Sequence, residues 1–499
     1  MGKQKTASAG APKSLTPAQW TDVPWQAIQK QVRRLQMRIA KATKERRWNK
    51  VKALQYLLTR SQAAKLLAVK RVTSNKGKDT PGVDGILWKG ARAKWQAALG
   101  LRHCGYKPQP LKRTYIAKKQ STKKRPLSIP TMYDRAMQAV FKLAVAPVAE
   151  TQADRNSYGF REGRSCSDAI QAAFNALSKP TSATWILEAD IKGCFDNISQ
   201  QWLLKHIPMN KTVLRKWLQA GYVEKGLRFP TRRGCPQGGI ISPTLMNMTL
   251  DGLEQAIKAA VPRRSRVNFI RYADDFIVTG KSQRLLQQQI LPAIQMFLAE
   301  RGLTLSAEKT AITHIQDGFT FLSQTFIKHG NVLHISPSKD STLSVIHKLG
   351  SSIRKHVGSP MAALAKNLNA ILRGWGNYHR HVCASDAFYK VDRYVHEQLW
   401  RMLHKRHPTK SKHWCKDRYW QGVGKQQNFT AVGKTARGKK CYPLVRLGWL
   451  GVRRHIKIRA DANPYLPEYA SYFWRRRNMK ETKLFSAFSA REYRANRSA

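Results

Sequence analysis

Acidic residues are scarce in this chain. Its 499 residues hold 29 Asp and Glu against 90 Lys and Arg, a formal charge of +61. A monomer so cationic repels itself, and a polyanionic partner is the usual reason to tolerate that. The excess is spread along the whole chain, which favours nucleic acid over an anionic membrane surface. Long apolar runs are missing too: none approaches the roughly 18 residues needed to span a bilayer, so no membrane association is expected. The seven cysteines (Cys104, Cys166, Cys194, Cys235, Cys383, Cys415, Cys441) are scattered and form no Cys-x-x-Cys pair. That excludes a zinc knuckle or a disulfide framework and points to a reducing, intracellular setting. The opening Met1–Thr6 has no apolar core, so no secretory leader is expected. The apolar fraction of 42% is ample for globular folding, and the length predicts roughly two to four domains.

Where acid does occur, its placement is informative. Val267–Thr279 reads as two apolar runs around adjacent aspartates, Asp274 and Asp275, a pattern that predicts a β-hairpin with both carboxylates at its tip. Neighbouring carboxylates repel, which is costly unless a cation lies between them. An Asp-rich surface turn is the competing reading, and the rest of the chain decides between them.

Residues 1–24 read as a disordered basic lead. From Trp25 to about Lys70 the pattern is helical, with Val32, Leu35 and Ile39, then Val51, Leu54 and Leu58, at helix spacing. Arg33, Arg34 and Arg38 on the other faces are candidate phosphate contacts. Residues 106–130 predict a hairpin around a basic turn, Lys119–Lys124. A helix is expected from Tyr133 to about Val148, a strand Trp185–Ile191 carrying Asp190, a helical run Pro243–Val261 and an amphipathic helix Gln283–Arg301. Two strand-like pieces follow, Thr310–Ile315 and Phe319–Phe326. Strands and helices mix without strict alternation, so the class is α+β. From about 337 helices and loops take over. Residues 341–499 carry 33 Lys and Arg against 8 Asp and Glu, interleaved with Trp375, Tyr378, Trp400, Trp414, Tyr419 and Trp420. That mixture suits backbone contacts and base stacking on RNA or single strands, although some of these rings belong to a core.

Phosphoryl transfer onto a 3′-hydroxyl uses two Mg²⁺ ions about 3.5–4 Å apart, held by carboxylates from different strands. Asp274 and Asp275 supply one strand, and Asp190, at the end of another apolar strand, is the best second contributor. A helix cap or turn is its other reading. Seven ordered blocks carry a resemblance: Lys123–Pro130, Tyr158–Arg161, Ala189–Ile198, Pro236–Pro243, Tyr272–Asp275, Gly302–Thr310 and Gly318–Leu322. Together they resemble a reverse transcriptase, specifically the group II intron-encoded reverse transcriptase/maturase family. Leu368–Arg380 is similar to the core of its maturase domain.

The resemblance implies a right-hand polymerase, with fingers and a palm built on an antiparallel sheet. A helical thumb/maturase domain and a basic carboxyl-terminal DNA-binding segment would follow. The expected divisions are 25–105 for an N-terminal helical extension and the start of the fingers, 106–335 for fingers and palm, 336–425 for the thumb and maturase domain, and 426–499 for the DNA-binding segment. It implies catalysis and metal binding by Asp190, Asp274 and Asp275 with the Ile191 backbone, using two Mg²⁺ ions with Mn²⁺ as a substitute. Lys118, Lys123, Arg125, Phe195 and Gln237 would line the nucleotide pocket, with Phe195 excluding a ribose 2′-hydroxyl. Tyr272 and Lys309 would lie near primer and template, and Arg373 and Arg380, with the three amino-terminal arginines, would touch RNA. His455–Tyr465 is similar to the segment preceding an HNH endonuclease in many members, and no such nuclease is expected here. The implied partners are a group II intron RNA, target DNA and deoxynucleoside triphosphates, and the implied place is the bacterial cytoplasm, at the nucleoid, or an organelle. The implied function is splicing assistance and reverse transcription during retrohoming. The alternatives are a domesticated reverse transcriptase in defence or repair and a splicing-only maturase.

Overall fold

The computed structural model describes residues 20–117, 124–423, 426–435 and 438–478. The predicted amino-terminal helical region resolves into Trp25–Lys44, Trp48–Arg60 and Gln62–Ser74, followed by Gly90–Gly100. Arg46, at φ 56°, breaks the first from the second, and Ser61 caps the third by accepting the Ala64 N–H. Their inner faces bury Val32, Ile39, Leu54, Leu58, Leu66 and Val69 against the long helix Met132–Gln152. Residues 20–24, expected to belong to the lead, are instead anchored to the core. Trp20 and Val23 are buried, and Trp20 packs edge-on against Trp25 with centroids 5.1 Å apart.

A four-stranded sheet pairs Leu111–Ala117 antiparallel with Lys124–Ile129, then continues through Tyr222–Glu224 and Leu227–Phe229. The central sheet has the order Asn268–Tyr272, Asp275–Gly280, Trp185–Asp190, Ala311–His314, with every neighbouring pair antiparallel. Its middle strands are β-branched and aromatic because both faces are covered: Phe276, Ile277, Val278, Ile186 and Leu187 are buried. The Cys166–Leu177 helix lies against its edge strand and opens with a capping box, Ser165 and Asp168. The helical run expected over 243–261 is split into Ser242–Leu250 and Leu253–Ala259. Gly252, at φ 97°, makes the break, a conformation open to glycine at little cost.

A small sheet of Phe319–Phe321, Gln324–His329 and Val332–Pro337 leads into helices Lys339–Lys355, Met361–His379, Ser385–Arg406 and Lys412–Tyr419. Helices were expected here, but Trp420–Val423, Gln426–Thr435 and Gly438–Pro443 then form a three-stranded sheet that was not. It packs on Met361–His379 through Phe429 and Ala431. Residues 453–478, within the segment expected to bind DNA, pack against other parts of the chain. They return across the earlier part of the chain: Ile458, Ala462 and Phe473 join the core of Tyr158 and Ile170, and Tyr465 and Leu466 pack on Ala40 of the first helix. Arg164 donates to the Ala460 carbonyl at 3.0 Å, and Lys44 pairs with Glu468 at 3.0 Å. Among the described residues no helix is long and apolar enough to cross a membrane.

Candidate active site

Antiparallel pairing of Trp185–Asp190 with Asp275–Gly280 sets Asp190 directly across from Asp275, which places the two residues about 4.5–5.5 Å apart. Asp274 occupies the two-residue turn between Tyr272 and Asp275, which are themselves paired. Three carboxylates from two adjacent strands therefore share one end of the sheet. Burial first, and then the neighbouring Asp190 and Asp274 carboxylates, push the Asp275 carboxyl up to about 7. Burial and Asp190 raise Asp274 as well, against the opposing charges of Arg125 and Lys309. Lys309 Nζ stands 2.6 Å from Asp190 Oδ2, a contact that raises the lysine's own affinity for its proton.

Among the described residues no group of three His, Cys, Asp or Glu is gathered tightly enough to define a metal cluster by itself. The donor chemistry nonetheless suits a hard divalent ion: carboxylate oxygens only, and a mutual repulsion that a cation would relieve. The raised Asp275 affinity carries a stability cost. The folded chain holds that proton more tightly than the unfolded one, so stability falls as pH rises from the ordinary carboxylate range through about 7. Asp275→Asn keeps the shape without the charge. In metal-free buffer at pH 8 it is expected to melt at least about 2 °C above the parent in a thermal scan; a lower melting temperature would contradict the electrostatic account.

The turn itself is strained, since Ala273 adopts φ 62°. Arg271 braces it from beneath. This fully buried side chain donates to Asp251 Oδ1 at 2.6 Å, to Asn247 Oδ1 at 3.3 Å and to the Ala273 carbonyl at 3.3 Å. Burial lifts Asp251 to about 6, with Arg271 opposing. Gly159 lies so close that a Cβ there would be 2.4 Å from the Ala273 nitrogen, which explains the glycine in Tyr158–Arg161. Arg161 is also internal, bridging to Glu150 at 2.7 Å. Sequence reasoning missed Arg271, Asp251 and Glu150. The available signal was an arginine inside an apolar strand, two residues before a tight turn.

The nucleotide-pocket candidates divide. Arg125 is exposed on the Lys124–Ile129 strand and faces Asp274 closely enough to lower its proton affinity. The Gln237 carbonyl accepts the Ser128 N–H at 2.7 Å, tying that loop to the same strand. Gly238, at φ 111°, leaves only 2.5 Å between a notional Cβ and the Ser128 carbonyl. Phe195 is half-buried against the main core, and its carbonyl accepts the Cys235 N–H at 2.7 Å. Lys118 and Lys123 lie outside the described residues. Ile191 forms an antiparallel bridge with Leu305, and the Asp190 carbonyl accepts the Ser306 N–H at 2.8 Å, which draws Lys309 to the carboxylates. Tyr272 is half-buried.

The RNA-contact candidates divide as well. Arg34, Arg38 and Arg373 are exposed. Arg33 is not offered outward: it donates to the Pro464 carbonyl and lies 4.6 Å from the centre of the Tyr465 ring. Arg380 is engaged with the Gly451 carbonyl at 2.9 Å. Trp375 donates to Ser341 and Tyr378 to the Leu322 carbonyl, so both rings serve the internal packing.

Residues 116–326 match the family described as reverse transcriptase (RNA-dependent DNA polymerase). Residues 20–101 match the N-terminal domain of reverse transcriptase, and residues 342–420 the group II intron maturase-specific domain. Protein YkfC of Escherichia coli is 32% identical over 52% of this chain and 79% of its own. The group II intron-encoded protein LtrA of Lactococcus lactis is 29% identical over 63% of each. The chain belongs to the group II intron reverse transcriptase/maturase family. Reverse transcriptase domains depend on divalent metal, in keeping with the carboxylates above. A structure of telomerase from Candida albicans with a fragment of telomeric RNA is similar at 12% identity and TM-score 0.35, covering 61% of this chain and 65% of that one; so distant a likeness bears no weight for the site.

Proposed function

We propose that this protein copies RNA into DNA by two-metal nucleotidyl transfer, with Asp190, Asp274 and Asp275 as the metal-holding carboxylates, in a ribonucleoprotein with its intron RNA. The observation that carries the reading is the cross-strand register, which brings Asp190 to Asp275 with Asp274 on the adjoining turn. When bound, Mg²⁺ or Mn²⁺ supplies the charge that sharpens a primer 3′-hydroxyl as nucleophile and neutralises the departing pyrophosphate.

The chain's own groups do the positioning. Arg125 offers a planar, permanently charged fork to a triphosphate entering opposite Asp274. Gly238 lets the loop after Gln237 close onto the Ser128 backbone, which holds Gln237 beside the strand that carries Arg125. Phe195 fills the space beside the sugar, which would disfavour a 2′-hydroxyl. Lys309, whose ammonium pairs with Asp190, would meet the primer end as it reaches the carboxylates. Residues 336–425 act as thumb and maturase domain on intron RNA, and exposed Arg34, Arg38 and Arg373 supply salt-sensitive phosphate contacts. Target DNA would be engaged by the same basic surface, and splicing assistance and retrohoming follow from the partnership.

The test uses the purified chain, an RNA template, an annealed DNA primer and the four deoxynucleoside triphosphates. Primer extension is expected with Mg²⁺, with cessation on adding EDTA and recovery on restoring Mg²⁺. No extension with any divalent ion, from protein that still binds the template, would overturn the polymerase reading.

A further inference from the structure

The Ser385–Arg406 helix carries an unusual outer stripe. Tyr389, Arg393, His396 and Trp400 recur at helix spacing and share one face. Opposite them stand Arg446, Trp449 and Val452, in the segment that leaves the three-stranded sheet. Between the two walls runs a cleft of about 500 Å³. Through Asp392, His396 and Arg446 it adjoins a second cleft of about 350 Å³, whose walls include Trp400, Trp420 and Lys416. These volumes match those of small-ligand sites.

The lining has two properties that a packing defect would not. First, large apolar side chains face water at its mouth: Tyr389 is 69% exposed, Val452 68% and Trp449 43%. A surface this rich in Lys and Arg has no shortage of polar residues for those positions, so a clustered apolar mouth marks a contact site. Deeper in, Trp400 and Trp420 stack with centroids 4.3 Å apart and planes 10° from parallel. Second, the acids that would repel a polyanion are already engaged. The Asp392 carboxylate accepts the Leu447 and Gly448 N–H groups, both at 2.9 Å, and Glu397 pairs with Arg393 at 3.0 Å. The Arg446 guanidinium lies 5.2 Å from the Trp449 ring centre, and Lys416 stands at the other end, so each aromatic set has a cation beside it.

We propose that this double cleft is a receptor for unpaired RNA bases, with Tyr389 and Trp449 stacking on bases and Arg446 and Lys416 meeting the intervening phosphates. Flat rings alternating with cations suit a strand whose bases are splayed out, and a duplex, with its bases stacked internally, offers nothing to them. Charge complementarity selects nucleic acid over a peptide: the surrounding residues 341–499 carry 33 Lys and Arg against 8 Asp and Glu. The choice of RNA rests on the reading of residues 342–420 as an RNA-binding maturase domain.

The experiment compares the full chain with its Tyr389→Ala/Trp449→Ala double variant. Two fluorescent probes are titrated at fixed physiological salt: a short unstructured oligoribonucleotide, and a blunt-ended RNA duplex with the same number of phosphates. Loss of the stacking rings is expected to weaken binding of the unpaired probe at least about tenfold, with the duplex bound within about twofold of the parent. Equal weakening of both probes, or none on the unpaired one, overturns the proposal. So does displacement of the unpaired RNA by an unstructured peptide but not by a second oligoribonucleotide. A parent chain that binds neither RNA instead refutes the RNA-binding reading on which the proposal rests. As a second readout, photocrosslinks from 4-thiouridine in the unpaired probe are expected on the peptides holding Tyr389 or Trp449; crosslinks confined to the polymerase region count against the cleft.

Discussion

Asp274→Ala is expected to lower primer extension on an RNA template at least about 10³-fold, equivalent to about 4 kcal/mol of lost transition-state stabilisation. The reasoning is electrostatic. The turn presents Asp274 beside the strand pair Asp190 and Asp275, and burial, reinforced by the repulsion of neighbouring carboxylates, raises two of them, Asp274 and Asp275. Such a cluster is poor as a structural feature and good as a receptor for divalent charge. Removing one member leaves too little negative charge to hold two ions, while the fold loses only a repulsion. Melting temperature should therefore hold or rise. RNA affinity should stay within about twofold, because it depends on dispersed Lys and Arg, and for parent and variant alike it should fall steeply with added salt. Extension and RNA binding are measured on the same preparation. Continued cDNA synthesis by the variant would remove Asp274 from the metal site, and a parallel collapse of RNA binding would show that the substitution damaged the fold.

The Asp274–Asp275 hairpin was legible because its two arms are short, apolar and β-branched, and only a tight turn fits between them. Asp190 was legible as the polar end of an apolar run. Their direct opposition was not, since pairing register is a relation between segments about 85 residues apart and leaves no local trace. Arg271 was illegible for a related reason. In a strand an arginine usually points to solvent, and here Asp251, with Asn247 and the Ala273 carbonyl, holds it inward beneath the sheet. Arg33 and Arg380 show the converse problem. With 90 Lys and Arg in the chain, nothing in the local sequence separates a cation held by a carbonyl from one offered to phosphate. The Trp420–Pro443 sheet escaped notice because its strands are rich in Gly, Gln and Lys and show little alternation, and its stability comes from packing on a helix some 60 residues earlier.

Asp168→Ala is expected to destabilise the polymerase region by about 3–5 kcal/mol, the usual cost of removing one side of a buried charged network. Asp168 is fully buried and gathers five donors. Two come from its own helix start, the Ser165 N–H at 2.9 Å and hydroxyl at 2.8 Å. Three come from the returning carboxyl-terminal segment: His455 Nε2 at 2.8 Å, the Ile458 N–H at 2.7 Å and Arg476 Nη2 at 2.9 Å. Burial alone would raise this carboxyl, but the contacts from His455, Ile458 and Arg476 outweigh it and hold it below the ordinary range. Its contribution is therefore present at neutral pH and is lost as pH falls through that lowered value, so the gap between parent and variant should narrow in acid. The consequence reaches the active site through the helix that Asp168 caps. Cys166 begins that helix, and after burial it is the neighbour that most raises the proton affinity of Tyr272, the residue before the Ala273–Asp274 turn. A released segment should thus both expose residues 453–478 to protease and reduce extension at elevated temperature, while Asp168→Asn, which keeps part of the acceptor set, should fall between. Thermal melting of the variant within about 2 °C of the parent, with no new cleavage after residue 452, would mean that the returning segment is held mainly by Tyr465, Leu466 and Phe473 and that the buried carboxylate is dispensable.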